Sequence, residues 1–193
     1  PPATLQHTVD ERTMKFLLSV GDDLETESVI IPMPHRGGRF SRTLCISSQV
    51  GCAMGCQFCE TGQMGLMRSL SVREIVQQLH VARFGVPHPF EDETRATSGG
   101  FDIANIVFMG MGEPLSNYDN LLKAIRILNA PEGLHIGARK ITISTVGLVP
   151  MIERLSKEGI QVELSISLHA PNDELRGKLM PVNKKYPVAE LIQ

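Results

Sequence analysis

Residues 43–62 read T-L-C-I-S-S-Q-V-G-C-A-M-G-C-Q-F-C-E-T-G, and three closely spaced thiols in this stretch decide the fold. Cys52, Cys56 and Cys59 form a C-x-x-x-C-x-x-C pattern, and no further cysteine follows them. A structural zinc site is normally closed by four protein ligands. A cubic iron–sulfur cluster held by only three cysteines keeps one iron open to another ligand. The spacing therefore predicts a catalytic metal centre.

A zinc site is the alternative interpretation of the same spacing. It needs a fourth ligand, for which His80 and His169 are the candidates. Phe58 before the last cysteine and the glycines around the loop fit a backbone that folds tightly around a cluster. These neighbours favour iron and sulfide over zinc.

The composition indicates a globular protein without a membrane segment. A length of 193 residues suits one domain with a sizeable core, and no apolar run is long enough to span a bilayer. The formal charge of −2 argues neither for nor against nucleic-acid binding. The first residues lack the pattern of a secretory signal, and four cysteines with three clustered do not resemble a secreted disulfide framework. We therefore expect a cytoplasmic protein.

Strand and helix patterns alternate along most of the chain. We predict strands at residues 14–20, 28–31, 43–47, 104–109, 140–144 and 162–166. We predict helices behind a capping box at Ser71 and Glu74, over residues 119–128 and 149–157, and from about residue 173. The polar connection at residues 85–100 is expected to be a surface insertion or a functional lid.

This alternation predicts an α/β fold with a parallel sheet and crossover helices. We expect a short N-terminal β extension over residues 1–40, followed by a partial (β/α) barrel over residues 41–193. The chain starts at Pro1 and ends on P-V-A-E-L-I-Q, which reads as a helix still in progress. We therefore expect a fragment whose barrel is truncated at its C-terminal side.

Candidate chemical residues follow each strand of the predicted barrel. The cysteines follow the first strand, and the later strands are followed by G-M-G-E-P (110–114), S-T-V-G (144–147) and S-L-H (167–169). Active sites of such barrels lie at the carboxyl ends of the strands. The coincidence predicts one shared site, although Ser144 or the triplet Ser167-Leu168-His169 taken alone would read as satisfied strand-end polar groups.

The G-M-G-E-P segment has a functional and an ordinary interpretation. Gly and Pro are common in strand-to-helix turns, but a turn does not explain the acid at Glu113. Gly112 allows close approach of the backbone to a ligand, and the Glu113 carboxylate can accept from an ammonium or a ribose hydroxyl. By pattern alone, Cys45 is a buried strand residue and Glu27 a solvated charge.

Four long segments, taken together and in order, resemble the RlmN/Cfr family of radical S-adenosylmethionine (SAM) RNA methyltransferases. They are residues 45–62, 105–117 (N-I-V-F-M-G-M-G-E-P-L-S-N), 140–150 (K-I-T-I-S-T-V-G-L-V-P) and 165–176 (S-I-S-L-H-A-P-N-D-E-L-R). The likeness extends from about residue 27 to the end of the chain. A radical SAM enzyme that acts on another substrate is an alternative, but the segments S-S-Q-V-G and S-L-H-A-P-N-D argue against it. The non-enzyme alternative is a zinc-stabilised RNA-binding module.

The resemblance implies a role for each candidate residue. Cys52, Cys56 and Cys59 match the ligands of one 4Fe-4S cluster. Positions that match SAM-binding residues are Gly112, Glu113, Ser144, Ser167, Leu168 and His169. Cys45 matches the cysteine that resolves a protein–RNA adduct and ends in a disulfide, and Glu27 aligns with a proton-accepting acid.

The resemblance also implies a substrate and partners. Family members methylate an adenine ring carbon through a methyl-cysteine, with carbon 2 favoured here over carbon 8. The RNA is large-subunit ribosomal RNA and, for the dual-specificity branch, transfer RNA, and the electron donor is a protein such as flavodoxin. We expect a monomer with no membrane partner. The methyl-carrying cysteine and the N-terminal accessory domain have no counterpart in these 193 residues.

Overall fold

The structure is a computed structural model that describes residues 4–7, 13–34, 40–86 and 101–192. A seven-stranded sheet with the order β1-β2-β3-β4-β7-β8-β9 forms its centre. The strands of this sheet are β1 (Thr4–His7), β2 (Met14–Gly21), β3 (Leu24–Pro34), β4 (Phe40–Cys45), β7 (Ile103–Phe108), β8 (Ile141–Thr145) and β9 (Glu163–Ile166). A separate hairpin consists of β5 (Gln49–Gly51) and β6 (Leu66–Ser69).

Six helices accompany the strands within the described ranges. They are α1 (Glu60–Gln63), α2 (Val72–Phe84), α3 (Tyr118–Asn129), α4 (Val149–Ser156), α5 (Asp173–Leu179) and α6 (Val188–Ile192). Short 3-10 turns at Pro114–Asn117, Ala138–Lys140 and Pro181–Lys184 join several of these elements. None of the described helices is long and apolar enough to cross a membrane.

The sheet is antiparallel on one side and parallel on the other. β1 to β4 pair as antiparallel neighbours, whereas β4, β7, β8 and β9 pair in parallel. The predicted α/β class with a parallel sheet is confirmed. β3 and β4 pair directly, so the strands before residue 35 continue the same sheet as the parallel strands. The division into an extension at 1–40 and a core at 41–193 stays a prediction.

One face of the sheet packs against the helices and forms the core. Phe16, Ile30, Leu44, Ile106 and Ile143 are completely buried there, together with apolar side chains of α2, α3 and α4. Full burial of one such side chain contributes about 1.5 to 3 kcal/mol. Because side chains alternate along a strand, the residues between them face the opposite side, which is half-exposed.

The start of α2 matches its prediction. Ser71 Oγ accepts from the Glu74 backbone N–H at 3.4 Å, and Glu74 Oε2 accepts from the Ser71 backbone N–H at 2.8 Å, so the predicted capping box is present. The Glu74 carboxylate also pairs with Arg68 at 2.7 Å. This pair joins the helix to β6, which leads into it.

Three parts of the sequence prediction were wrong, and the first is that β1 was not predicted. The β5–β6 hairpin inside the cysteine loop was missed, because its strands are only three and four residues long and show no alternation of polar and apolar residues. β3 begins four residues before the predicted strand 28–31, since the prediction followed the apolar run and not the polar alternation at Glu25, Thr26 and Glu27. Residues 87–100 of the predicted 85–100 connection lie outside the described residues.

Candidate active site

A cavity of ≈ 400 Å³ lies where the cysteine loop meets the carboxyl ends of β7, β8 and β9. The predicted site residues that line it are Cys52, Cys56, Cys59, Gly112, Glu113, Ser144, Ser167 and His169. Leu168 lies in the same segment, but its side chain is not part of the lining and is 38% exposed. Cys45 and Glu27 are also outside the lining.

Main-chain hydrogen bonds hold the cysteine loop in shape. Cys59 N–H donates to Cys56 O at 3.1 Å, and Cys52 N–H donates to Gly65 O at 3.0 Å. Gly62 packs so closely that an added Cβ would lie 3.1 Å from the Cys56 nitrogen. A side chain at position 62 would therefore crowd the cysteine loop, and at Gly51, with a φ of +72° and an added Cβ 1.8 Å from the Gly65 oxygen, the loop requires glycine.

The three thiols influence one another electrostatically. Burial raises the pKa of Cys56 to about 11 and also raises the pKa of Cys52, and the charges of neighbouring cysteine thiolates and of Glu113 act in the same direction. Thiolates are the form that binds metal, and a bound cation relieves their mutual repulsion. A soft donor set of three cysteines therefore fits an iron–sulfur cluster.

The two histidines of the zinc alternative lie in different places. His169 lines the cavity with its ring 4.5 Å from the Phe58 ring, and its φ of 57° lies in the left-handed region. His80 lies on α2 against Phe84 and lines a separate groove between α2 and α3. Among the described residues, no three His, Cys, Asp or Glu side chains form a group that could hold a single metal ion.

Glu113 is buried and connects two strand-end loops. Its Oε1 accepts from Thr145 Oγ1 at 2.6 Å and from the Leu115 N–H at 3.1 Å, while Oε2 accepts from the Val146 N–H at 2.9 Å. Burial raises the pKa of Glu113, and these hydrogen bonds oppose that rise. A carboxylate has about four acceptor positions, so one remains for a ligand in the cavity.

Cys45 and Glu27 lie near each other at the margin of the cavity. Cys45 is opposite Val29 in the β3–β4 register, so Glu27 is its diagonal neighbour on the same half-exposed face. Burial raises the pKa of the Cys45 thiol to about 11, opposed by a hydrogen bond from the Met109 backbone and reinforced by the charge of Glu27. Lys15 forms an ion pair with Glu27 at 3.1 Å. The four cysteines are free thiols.

Sequence reasoning missed the residues that hold these segments together. Gln78 Oε1 accepts from Ser28 Oγ and from the Ser47 N–H, both at 2.8 Å, and its Nε2 donates to Ser47 O at 2.9 Å. Ser47 Oγ in turn donates to Glu27 O and accepts from the Met111 N–H. A glutamine on the apolar stripe of the predicted helix was the available signal for this network.

Comparisons with known proteins agree with the resemblance found in the motifs. The family model of the Radical SAM superfamily matches residues 46–193. The probable dual-specificity RNA methyltransferase RlmN 1 of Protochlamydia amoebophila is 50% identical over 189 residues, which is 97% of this chain and 48% of that protein. The probable dual-specificity RNA methyltransferase RlmN of Moorella thermoacetica is 50% identical over 183 residues, covering 95% of this chain and 49% of that protein.

A solved structure is similar over the whole chain. The crystal structure of a radical SAM methyltransferase from Sphaerobacter thermophilus has a TM-score of 0.86 and 46% sequence identity, and the match covers 100% of this chain and 52% of that one. The chain spans about half the length of the curated relatives it matches. The predicted resemblance and fold class are thereby confirmed.

Proposed function

The chain belongs to the radical SAM superfamily, and on that premise we propose that it forms the catalytic core of an RNA methyltransferase of the RlmN type. One observation carries the proposal: three thiols, the G-M-G-E-P loop and the polar ends of β8 and β9 share a single cavity. The similarity to RlmN proteins supports the choice of this branch over other radical SAM enzymes.

Cys52, Cys56 and Cys59 would hold one 4Fe-4S cluster, leaving one iron without a protein ligand. A bound cluster would supply the electron for reductive cleavage of SAM. The cavity is lined by the cysteine loop and by residues at the ends of β7, β8 and β9, so these segments would limit access of water to the reacting groups.

The residues at the strand ends would bind SAM opposite the cluster. Glu113 offers its remaining acceptor position to the amino group, and Ser144, Ser167 and His169 line the same cavity. Gly112 has a φ of +93° and brings the backbone to the cavity wall. Leu168, whose side chain is not in the lining, would contribute through its main chain.

Cys45 and Glu27 would act on the RNA-linked stage of the reaction. The Cys45 thiolate attacks the sulfur of the cysteine joined to the base, and a disulfide forms as the carbon–sulfur bond breaks. The bonding electron pair leaves with the carbon attached to the base, which takes up a proton and becomes the methyl group. The partner cysteine is not among these 193 residues. Glu27, paired with Lys15, accepts a proton from the substrate.

The substrate we propose is an adenine of large-subunit ribosomal RNA, methylated at carbon 2, with transfer RNA as a second substrate. The electron donor would be a flavodoxin-like protein, and the enzyme would act as a monomer in the cytoplasm. Methylation needs a methyl-carrying cysteine beyond this chain, so activity belongs to the full-length protein.

Metal content tests the cluster site directly. Protein purified and reconstituted without oxygen is expected to be brown, with a broad absorbance near about 400 nm and about four irons per chain. Cys56→Ala should lose most of this absorbance, because a ligand thiolate is removed. Cys45→Ala, which removes a thiol outside the cavity lining, should keep it. A colourless protein holding stoichiometric zinc would contradict the proposal.

A further inference from the structure

Arg176 on α5 is completely buried, and among the described residues it is the largest side chain that is fully buried. Its five N–H donors all have acceptors. Nε donates to Leu168 O at 3.2 Å, Nη1 to Asn183 Oδ1 at 2.7 Å and Tyr186 O at 3.2 Å, and Nη2 to Val146 O at 2.7 Å and Ser167 O at 3.4 Å. The guanidinium therefore ties the loops after β8 and β9 to the segment after α5.

Every one of these acceptors is a neutral amide oxygen. Hydrogen bonds to neutral groups satisfy the N–H donors but leave the positive charge without a contacting anion. Within the described ranges, the ion pairs do not include Arg176. A buried charge is costly unless an opposite charge lies near, so the site should hold a negative group when it is loaded.

The cysteine loop packs directly against the segment that follows Arg176. Gln57 N–H donates to Leu179 O at 2.9 Å, and Met180 lines the cavity together with the three cysteines. The groups that interact electrostatically with Arg176 are Asp173 and Cys56, and Asp173 is exposed. Of the two, Cys56 lines the cavity, where as a thiolate bound to the cluster it would be the negative partner of Arg176.

We propose that Arg176 is a positioning residue that provides the fixed positive charge of the cofactor site. It holds the Val146 and Ser167 loops in place, and it favours negative charge on the Cys56 side of the cluster. This inference rests on the proposed cluster. Because reduction adds one negative charge, a fixed cation nearby makes the cluster easier to reduce.

The midpoint potential of the cluster is the measurement that separates charge from packing. Full-length protein reconstituted with iron and sulfide is titrated with dithionite, and the one-electron reduction is followed by absorbance and electron paramagnetic resonance. Arg176→Gln removes the charge and keeps polar atoms, so the reduction equilibrium should fall about tenfold, equal to about 59 mV. Arg176→Lys keeps the charge and should remain within about twofold of the native value.

Two further variants control for general effects. Arg126→Gln removes the same charge from an exposed ion pair with Glu158 and should leave the potential unchanged. Asp173→Asn removes the exposed carboxylate near Arg176 and should shift the potential in the opposite direction, by about twofold in the equilibrium. If Arg176→Gln does not fold, an unchanged potential in Asp173→Asn would overturn the charge role, because charge beside Arg176 would then not reach the cluster.

The outcomes distinguish this inference from the proposed function. Equal potentials in native protein and Arg176→Gln, equal lowering in the Gln and Lys variants, or a lowered potential in Asp173→Asn would overturn the charge role. Failure of the native protein to assemble any cluster would instead overturn the proposed function.

Discussion

The reactivity of the Cys45 thiol depends on the groups that surround it. It lies on the half-exposed face of the sheet, against the Met109 backbone and diagonal to Glu27, outside the lining of the cysteine cavity. Its high pKa keeps it a thiol at neutral pH, and the thiolate is the nucleophile. A base or a local change of charge is therefore needed before Cys45 can attack.

Cys45→Ala in the full-length enzyme should trap the covalent protein–RNA adduct. The substitution removes the thiol proposed to resolve the link but leaves the three cavity cysteines in place. Denaturing gel electrophoresis and mass spectrometry of protein purified from cells should show bound RNA fragments. Normal turnover by this variant would contradict a catalytic role for Cys45 and would leave it as a structural residue of the strand.

Glu27→Gln should increase the reactivity of Cys45 toward iodoacetamide. The negative charge of Glu27 raises the pKa of Cys45, so its removal lowers that pKa and increases the thiolate fraction at any pH below about 11. The expected gain is about twofold, because Glu27 is 40% exposed and solvent screens its charge. Peptide mapping by mass spectrometry measures the rate at Cys45 between pH 7 and 9.

Glu25→Gln is the matched control for that experiment. Glu25 lies on the same strand and face but two residues further from Cys45. The Glu25→Gln substitution should leave the alkylation rate of Cys45 unchanged. Equal acceleration by both substitutions, or by neither, would contradict a specific interaction between Glu27 and Cys45.

At the scale of elements, the start of α2 is a pH-dependent contact. The hydrogen bond and charge of Arg68, with help from Ser71, lower the pKa of Glu74 to about 2. A lowered pKa means that the ionised form stabilises the fold. This contribution is complete above the ordinary pKa of 4.5 and is lost as the pH falls toward about 2.

Glu74→Gln should therefore destabilise the protein at pH 7 by about 1 to 3 kcal/mol. The difference from the native protein should shrink as the pH falls from 4.5 toward 2, because over this range Glu74 binds a proton in the unfolded chain while it stays ionised in the folded protein. Urea unfolding at each pH measures the free energy of unfolding of the two proteins. Glu153→Gln, an exposed change on α4, should have little effect, and a pH-independent loss in Glu74→Gln would contradict the ion-pair explanation.

The elements that the sequence predicted well have strong local signals. The apolar run of β7 and the capping box of α2 are both encoded within a few residues. The β5–β6 hairpin pairs Gln49 with Ser69 across the whole cysteine loop, and its strands are too short to show an alternation of polar and apolar residues. Pairing over such a distance depends on the fold around it.

The same distinction applies to the site. Positions after predicted strands were enough to predict that the three cysteines, Glu113 and the serines share one site. The structure places them in one cavity. Lys15, Gln78 and Arg176 act across distant parts of the chain, so only their contacts identify them. Arg176 in particular looks like a surface charge in D-E-L-R, although it is completely buried.

At the scale of the whole molecule, the two faces of the sheet differ in burial and in the residues they carry. Helices cover the apolar face, while the other face carries Lys15, Glu27, Cys45 and Ser144 in half-exposed positions. The cysteine cavity opens at the carboxyl edge where the parallel strands end. Cys45 and Glu27 thus lie on the same face of the sheet as Ser144, which lines the cavity.

Mapping the modified adenosine in cellular RNA tests the central claim most directly. Ribosomal RNA from cells with and without the full-length gene is digested and analysed by mass spectrometry. We predict 2-methyladenosine in large-subunit ribosomal RNA when the gene is present, its loss on deletion, and no recovery with the Cys56→Ala gene. Identical adenosine modification with and without the gene would contradict the account.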